Sequence, residues 1–345
     1  MASFFRPHTA AIAAVADGWA RVARFPLGVL ALASAIALVT LPGAAAVGNS
    51  IRAQLGPSGL GARVAAGVDL DWWDEFKASG APETFSLTMI GGAGPVSTYS
   101  RLLDGAGPPA SMVFSIVAAG LLWLFLSGGM LDRYARRRRV GTRGFFGASG
   151  VFFFRFVRLA VLTGVAYAFL IGPVHAWWFE SIYPWLTQDL TVERTAFVWR
   201  VVFYVLWLAP LLLVNVTADY AKARAVLEDR HSMVGALVAA ARFIARHPQD
   251  VALTYGANAL IAGLVLAGYL LLAPDGRGGD WRLLAVLAVG AAYLLLRVAT
   301  RLAFLASALA LVERRLAHAE YTAPPLPTWP DSPAAEAIDN LRSGQ

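Results

Sequence analysis

The sequence contains no cysteine, and only 15% of its 345 residues are charged. The lack of cysteine excludes disulfides, thiolate metal sites and a cysteine nucleophile. The low charge argues against a soluble protein, because a soluble domain carries about 25% charged residues. Hydrophobic residues instead make up 58% of the chain, and the mean hydropathy is +0.58. The composition therefore predicts an integral membrane protein.

Motifs for metals, nucleotides and catalysis are also missing. The five histidines are scattered, with no pair four residues apart and no HExxH pattern. The sequence has no GxSxG elbow, P-loop or dinucleotide fingerprint. We therefore assign no catalytic residue and expect no cofactor. The net charge of +7 does not predict nucleic acid as a partner, because the basic residues stand beside apolar segments, as in membrane proteins.

Long apolar segments are abundant. A helix needs about 20 apolar residues to cross a bilayer, and five stretches without Asp, Glu, Lys or Arg approach or exceed this length: 25–51, 105–131, 159–179, 201–218 and 251–274. A sixth stretch, 283–312, contains Arg297 and Arg301 but is otherwise almost wholly Leu, Ala and Val. The pattern predicts an all-α fold, a polytopic transmembrane bundle of six spans.

The charges between these segments predict the orientation. The loop after the second span sets a single acid, Asp132, against six arginines: Arg133, Arg136, Arg137, Arg138, Arg139 and Arg143. By the positive-inside rule this loop is cytoplasmic, and the acidic segment 50–110 is external. The N-terminal start lacks the pattern of a cleaved signal peptide, so we expect the first span to be retained as an anchor. We expect a bacterial-type inner membrane with both termini in the cytoplasm.

The chain divides into a cytoplasmic amphipathic segment, 1–25, a membrane bundle, 26–320, and a proline-rich cytoplasmic tail, 321–345. The motifs Val22-Ala-Arg-Phe-Pro26 and Ile244-Ala-Arg-His-Pro248 each lead into a span, and 152–158 approaches the third span similarly. They suggest three hairpins, each introduced by an amphipathic interfacial helix.

One such helix is predicted within the cytoplasmic linker 219–250, with Ser232 as its N-cap. Its apolar residues follow helical spacing: Met233, Leu237, Ala240, Ala241 and Ile244. The apolar face either lies in lipid or packs against the bundle, and the sequence leaves both open.

Three stretches carry a family resemblance: Val68-Asp-Leu-Asp-Trp-Trp-Asp-Glu-Phe76, Ser127-Gly-Gly-Met-Leu-Asp-Arg133, and 219–230 leading to Arg246-His-Pro248. They resemble an uncharacterised group of bacterial six-span membrane proteins, distantly similar to the membrane domain found beside glycerophosphodiester phosphodiesterases. The soluble phosphodiesterase barrel and its metal-binding carboxylates are not found in this sequence. The resemblance therefore implies the architecture and not that activity.

An acidic cluster in the external segment offers carboxylates for Ca²⁺ or Mg²⁺: Asp69, Asp71, Asp74 and Glu75. The cluster lacks the glycine and the terminal glutamate of an EF-hand. Its interleaved aromatic residues favour a solvated face anchored at the outer interface. We therefore predict no metal site here and keep these four residues as weak candidates.

Arg297 and Arg301 share one helix face, because they lie four residues apart. Counted from Trp281 as an outer anchor, they lie about 24 and 30 Å along the helix, in the cytoplasmic half. Asp219 ends the fourth span at the same level, so the favoured interpretation is an intramembrane ion pair. The alternative is a basic patch that receives an anionic headgroup or solute.

The sequence thus predicts a non-enzymatic bundle that acts as a scaffold, an accessory subunit or a lipid-organising protein. Membrane lipids are the expected partners, together with other membrane proteins. The alternative is a transporter or channel for an anionic solute or lipid that uses the Arg297/Arg301 face. A membrane enzyme acting through the external acidic cluster is the least favoured class.

Overall fold

The computed structural model describes residues 7–55, 72, 110–136, 141–272 and 280–318, which are helical apart from short connections. The helices are α1 (Pro7–Ala23), α2 (Pro26–Leu55), α3 (Ala110–Arg136), α4 (Thr142–Phe169), α5 (Tyr183–Thr187), α6 (Glu193–Leu227), α7 (Met233–Arg246), α8 (Pro248–Leu272) and α9 (Asp280–His318). The predicted tail, 321–345, and most of the segment 50–110 lie outside these residues.

Six helical segments of the described chain are long and apolar enough to cross a membrane: Pro26–Ala45, Val113–Arg136, Thr142–Thr187, Glu193–Leu227, Pro248–Leu272 and Leu284–Leu316. The protein is a multi-pass membrane protein, and the predicted all-α bundle with six spans is confirmed. The sixth segment includes both Arg297 and Arg301.

The last helix, α9, forms the centre of the bundle. It packs against α1, α2, α6 and α8, and its buried stretch is made almost wholly of alanine and leucine. Small side chains let neighbouring backbones approach closely, which is how helices gain packing energy inside a membrane. Leucine and valine on the outward faces of α2 and α6 remain exposed, as expected for surfaces that face lipid.

Two shorter helices, α1 and α7, precede the spans α2 and α8, as the repeated motif predicts. Ser232 caps α7, because its side chain accepts a hydrogen bond from the Gly235 N–H at 3.2 Å. The apolar face of α7 packs against α6 through Met233, Ala240 and Phe243. Of the two predicted alternatives, the structure therefore shows packing against the bundle.

The structure bears on two details of the predicted organisation. Residues 152–158 do not form a separate helix before the third span, because α4 begins at Thr142 and continues unbroken through them. The first part of the predicted linker 219–250 is continuous with α6, which runs through Asp219 to Leu227.

Glycines fix the close approach of α3 to α4. A Cβ atom on Gly129 would lie 2.4 Å from Ser149 Oγ and 2.8 Å from the backbone oxygen of Phe145. A Cβ on Gly128 would lie 2.9 Å from Phe152 Cβ. The two adjacent glycines therefore let α3 and α4 approach closely.

The two ends of the bundle differ in their side chains. One end of the bundle carries α1, α7 and the C-terminal ends of α3, α6 and α9, and we call it the basic end. At the opposite end α4 continues through two π-helical turns, Leu170–Val174 and Trp177–Ile182. Pro173 lies inside the first turn and has no N–H to donate. The indole N–H of Trp207 donates to the Leu170 oxygen at 2.9 Å, which ties this turn to α6.

Candidate anion-binding site at the basic end

A buried ion pair joins α6 to α9 near the basic end. Asp219 is fully buried, and both of its carboxylate oxygens accept hydrogen bonds from Arg301. Nη1 lies 2.6 Å from Oδ2, and Nη2 lies 2.7 Å from Oδ1. This two-point geometry is the strong form of an arginine–carboxylate contact. Lys222, also buried, places its Nζ 4.0 Å from Asp219 Oδ1, so two cations share one carboxylate.

Arg297 does not join this ion pair, although the sequence grouped it with Asp219 and Arg301. Its side chain is exposed, and it forms no ion pair within the described part of the chain. Arg297 lies one helical turn, about 6 Å, nearer the opposite end. Both oxygens of Asp219 are already occupied by Arg301. Sharing a helix face with Arg301 therefore does not give Arg297 an ion-pair partner among the described residues.

A second buried network, missed from the sequence, ties α1 to α3 and α9. Arg21 is 5% exposed and donates to Glu313 at 2.7 and 3.2 Å, to Asp17 at 2.8 Å and to the backbone oxygen of Tyr134 at 3.1 Å. Burial lowers the pKa of Arg21, but Glu313 and Asp17 more than offset this and raise it overall. The guanidinium stays charged and acts as a structural clamp. Only the Asp17–Arg21 spacing is visible in the sequence.

Two further ion pairs join α9 to α8 and α4 to the residues that follow α6. Arg315 of α9 pairs with the buried carboxylate of Asp250 at the start of α8. Arg155 of α4 donates to Asp229 at 2.6 Å, just beyond the end of α6. This hydrogen bond and the Arg155 charge lower the pKa of Asp229. Asp229 has a φ of 45°, a left-handed conformation that is common just after a helix.

A groove of about 480 Å³ runs along α7 between the end of α6 and the end of α9, and we call it the basic groove. All the charged residues among its described lining are basic: Arg224, Arg230, Arg242, Arg246 and Arg315. Arg224 and Arg230 pair with Glu228. Arg242 and Arg246 are exposed and form no ion pair with any described residue. The basic groove therefore carries an excess of positive charge.

His247 also lines the basic groove. Burial lowers its pKa, and the neighbouring Arg315 and Arg246 lower it further against the opposing effect of Asp250. Since a free histidine has a pKa of about 6.5, this lowering favours the neutral form of His247 at pH 7. Among the described lining residues, the positive charge of the groove therefore comes from arginine.

The external acidic cluster, Asp69, Asp71, Asp74 and Glu75, lies outside the described residues. Within the described residues no three His, Cys, Asp or Glu side chains form a group that could hold a metal ion. No family model, curated protein or solved structure matches this chain. At the basic end, the exposed arginines can bind anions, whereas the buried arginines already have partners.

Proposed function

We propose that this protein is a non-catalytic bundle of a bacterial-type inner membrane that organises anionic lipids, with both termini and the basic end in the cytoplasm. The observation that carries the proposal is the basic groove, where Arg242 and Arg246, which pair with no described carboxylate, lie together on α7. Phosphate is the anionic group that every phospholipid presents at this depth. Arginine suits it because the planar guanidinium donates two parallel hydrogen bonds to phosphate oxygens.

The outward face of α7 supports the proposal. Val234 and Val238 are 58% and 44% exposed, and Arg242 and Arg246 follow one and two turns further along the helix. Although the buried face of α7 packs on α6, this outward face is apolar at one end and basic at the other. Such a face can rest against lipid chains and place its arginines at the level of the phosphates.

The charge distribution supports the orientation. The basic end holds the arginine-rich termini of α3, α6, α7 and α9, and the positive-inside rule assigns such regions to the cytoplasm. The cytoplasmic leaflet is also the one whose negative surface potential attracts basic segments, by about 1 kcal/mol for each Lys or Arg near the surface. A cytoplasmic basic end would therefore face the leaflet whose anionic lipids it is proposed to bind.

The geometry of Arg301 favours this function over anion transport along the Arg297/Arg301 face. Two donors of Arg301 are held by the buried carboxylate of Asp219. A transported anion would have to displace that carboxylate and leave it buried without its partner. Arg297 alone would then form the predicted pathway, and it lies exposed on the outside of α9.

The test is lipid retention by the purified full-length protein, measured by native mass spectrometry from nanodiscs of equal dioleoylphosphatidylglycerol and dioleoylphosphatidylcholine. The variant Arg242→Gln/Arg246→Gln removes two arginines, worth together about 2 kcal/mol of attraction. We expect the excess of bound phosphatidylglycerol over phosphatidylcholine to fall at least fivefold in this variant, since 1.4 kcal/mol corresponds to roughly tenfold.

The matched control is Arg52→Gln/Arg194→Gln, which removes two exposed arginines at the opposite end and should retain the excess. Equal loss in both double variants would show that only net charge matters. An unchanged phosphatidylglycerol excess in Arg242→Gln/Arg246→Gln would also reject the basic groove as the lipid site.

A further inference from the structure

A second cavity lies on a different face of the bundle, between α2, α3 and the start of α4. Its volume is about 540 Å³, within the range of roughly 300 to 1,000 Å³ typical of ligand sites. Its walls are apolar and include Ala31, Ala35, Leu126 and Phe146. Among its described lining residues, only Arg133 and Thr142 are polar. We call it the apolar cleft.

Both polar residues stand at one end of the cleft. The lining runs from Phe25, which directly precedes α2, to Ala35 on that helix, a length of about 15 Å at 1.5 Å per residue. Half of a bilayer core of about 30 Å has the same depth. The cleft therefore extends from the basic end to the middle of the membrane, and its length matches one leaflet of lipid chains.

The mouth of the cleft is built around Arg133. Its guanidinium carbon lies 3.7 Å from the centre of the Phe25 ring, a cation–π contact that holds the charge at the end of the apolar wall. Phe25 can fold back there because Gly28 has no side chain. A Cβ atom on Gly28 would lie 2.0 Å from the Phe25 ring. Phe145, whose ring centroid is 6.4 Å from that of Phe25, completes the mouth.

Among the described residues, the unpaired charges beside Arg133 at the mouth are positive. Arg24 and Arg143 are exposed and flank the lining residues Phe25 and Thr142 in the chain. Asp132, the neighbour of Arg133, is buried and pairs with Arg136 at 2.8 Å. An occupant that fits this environment is apolar along about one leaflet and negatively charged where it meets Arg133.

We propose that the apolar cleft binds one anionic phospholipid, with an acyl chain along α2 and α3 and the phosphate at Arg133. The site is distinct from the basic groove, which lies at α7 and takes up headgroups from the surface. Arg133 selects for the anionic headgroup, while the apolar walls accept the chain of any lipid. Chain binding and headgroup selection are therefore separable by mutation.

The first test blocks the chain. Ala31 lines the cleft, whereas Ala44 is exposed further along the same helix and does not line it. The full-length variants Ala31→Phe and Ala44→Phe are titrated in detergent with dioleoylphosphatidylglycerol, and bound lipids are counted by native mass spectrometry. We expect Ala31→Phe to lose one retained lipid, with at least a fivefold fall in its occupancy. Ala44→Phe should stay within twofold of the unsubstituted protein. Equal occupancy in the two variants overturns the proposal.

The second test concerns the headgroup. Arg133→Gln should retain a lipid in the cleft but lose the preference for dioleoylphosphatidylglycerol over dioleoylphosphatidylcholine, and Arg133→Lys should restore part of that preference. A preference that survives Arg133→Gln overturns the assigned role of Arg133. A phosphatidylglycerol with a diazirine in its chain should crosslink to peptides of α2 and α3, whereas crosslinking elsewhere, or a chain–chain dimer through these helices, rejects the lipid as occupant.

The two lipid sites fail independently. Arg242→Gln/Arg246→Gln should leave the lipid of the apolar cleft in place, and Ala31→Phe should leave the phosphatidylglycerol excess at the basic groove unchanged. Loss of the cleft lipid in Arg242→Gln/Arg246→Gln would contradict a separate cleft site.

Discussion

At Asp219 the chain buries a carboxylate between two helices, and Arg301 covers both of its oxygens. The sequence predicts a pairing at this level from depth and opposite charge. It cannot choose between Arg297 and Arg301, because both share one face of α9. The choice depends on the rotation and axial position of α9 against α6. The rotation and axial position of α9 follow from the packing of many alanine and leucine side chains and not from any local sequence signal.

Removing one partner of such a pair leaves the other charge buried. We predict that Asp219→Ala destabilises the protein by about 3 kcal/mol, the low end for a buried ion pair, because the Arg301 side chain is 31% exposed. The same change in an Arg301→Ala background should cost clearly less, since the charge left without a partner is gone. Reversible unfolding in mild detergent measures both.

The matched background is Arg297→Ala, in which the Asp219→Ala loss should stay unchanged because Arg297 takes no part in the pair. Additive losses with Arg301→Ala, or strong coupling with Arg297→Ala, would contradict the pairing.

A titratable contact at Asp229 gives a prediction of pH dependence. Arg155 lowers the pKa of this carboxylate. The contact therefore stabilises the protein above the unfolded-state pKa, near 3.9 for aspartate, and the stabilisation is lost as the pH falls through the lower folded-state pKa. We predict that Asp229→Asn lowers the thermal unfolding midpoint at pH 6 and that the difference shrinks at pH 3. Asp189→Asn, exposed at the opposite end, serves as the control. A difference independent of pH would rule out the charge contact as its cause.

Two features of the helices have clear sequence signals and are predicted well. Six long apolar runs predict the six spans, and Ser232 predicts the start of α7. The apolar positions of α7 are predicted less well, since Ala241 is exposed while Phe243 is buried. A run rich in alanine has several nearly equivalent apolar faces, and the buried one is selected by the surface of α6.

The contact between α3 and α4 predicts whether a glycine-to-alanine change stabilises or destabilises the protein. Replacing glycine by alanine inside a helix normally stabilises it by about 1 kcal/mol. Gly120→Ala should follow this rule, because no atom lies within 4 Å of its added Cβ. Gly129→Ala should instead destabilise by about 1 to 3 kcal/mol, since its Cβ would lie 2.8 Å from a backbone oxygen of Phe145. Unfolding free energies in detergent compare the two. Equal stabilisation by both changes would show that the helices do not meet at Gly129.

Across the whole molecule, the buried ionic contacts join distant parts of the chain near one end. Arg21 reaches Glu313 across 292 positions in sequence, and Arg315 reaches Asp250 across 65. No sequence pattern reports such pairs, because they depend on how α1 docks against α9 and α8. The concentration of arginines between the spans is visible in the sequence, however, and it predicts which end of the bundle is basic.

The orientation of that end is the last prediction. Because the chain has no cysteine, a single introduced cysteine reports one position. Gly141 is exposed before α4 at the basic end, and Gln188 is exposed between α5 and α6 at the opposite end. By the positive-inside rule, the arginine-rich end stays in the cytoplasm. We therefore predict that Gly141 lies in the cytoplasm and Gln188 outside. In intact cells an impermeant thiol reagent should label Gln188→Cys and not Gly141→Cys.

After permeabilisation, both variants should react, which shows that each thiol is accessible, and the unsubstituted protein should stay unlabelled. Gly141 leaves open space for the new side chain, since nothing lies within 4 Å of its added Cβ, so the substitution should not disturb the start of α4. The segment Thr142–Thr187 is the candidate membrane span between the two positions. Labelling of both sites in intact cells would therefore contradict its crossing of the membrane. Labelling of Gly141→Cys alone would invert the bundle and place the basic groove away from the cytoplasmic leaflet.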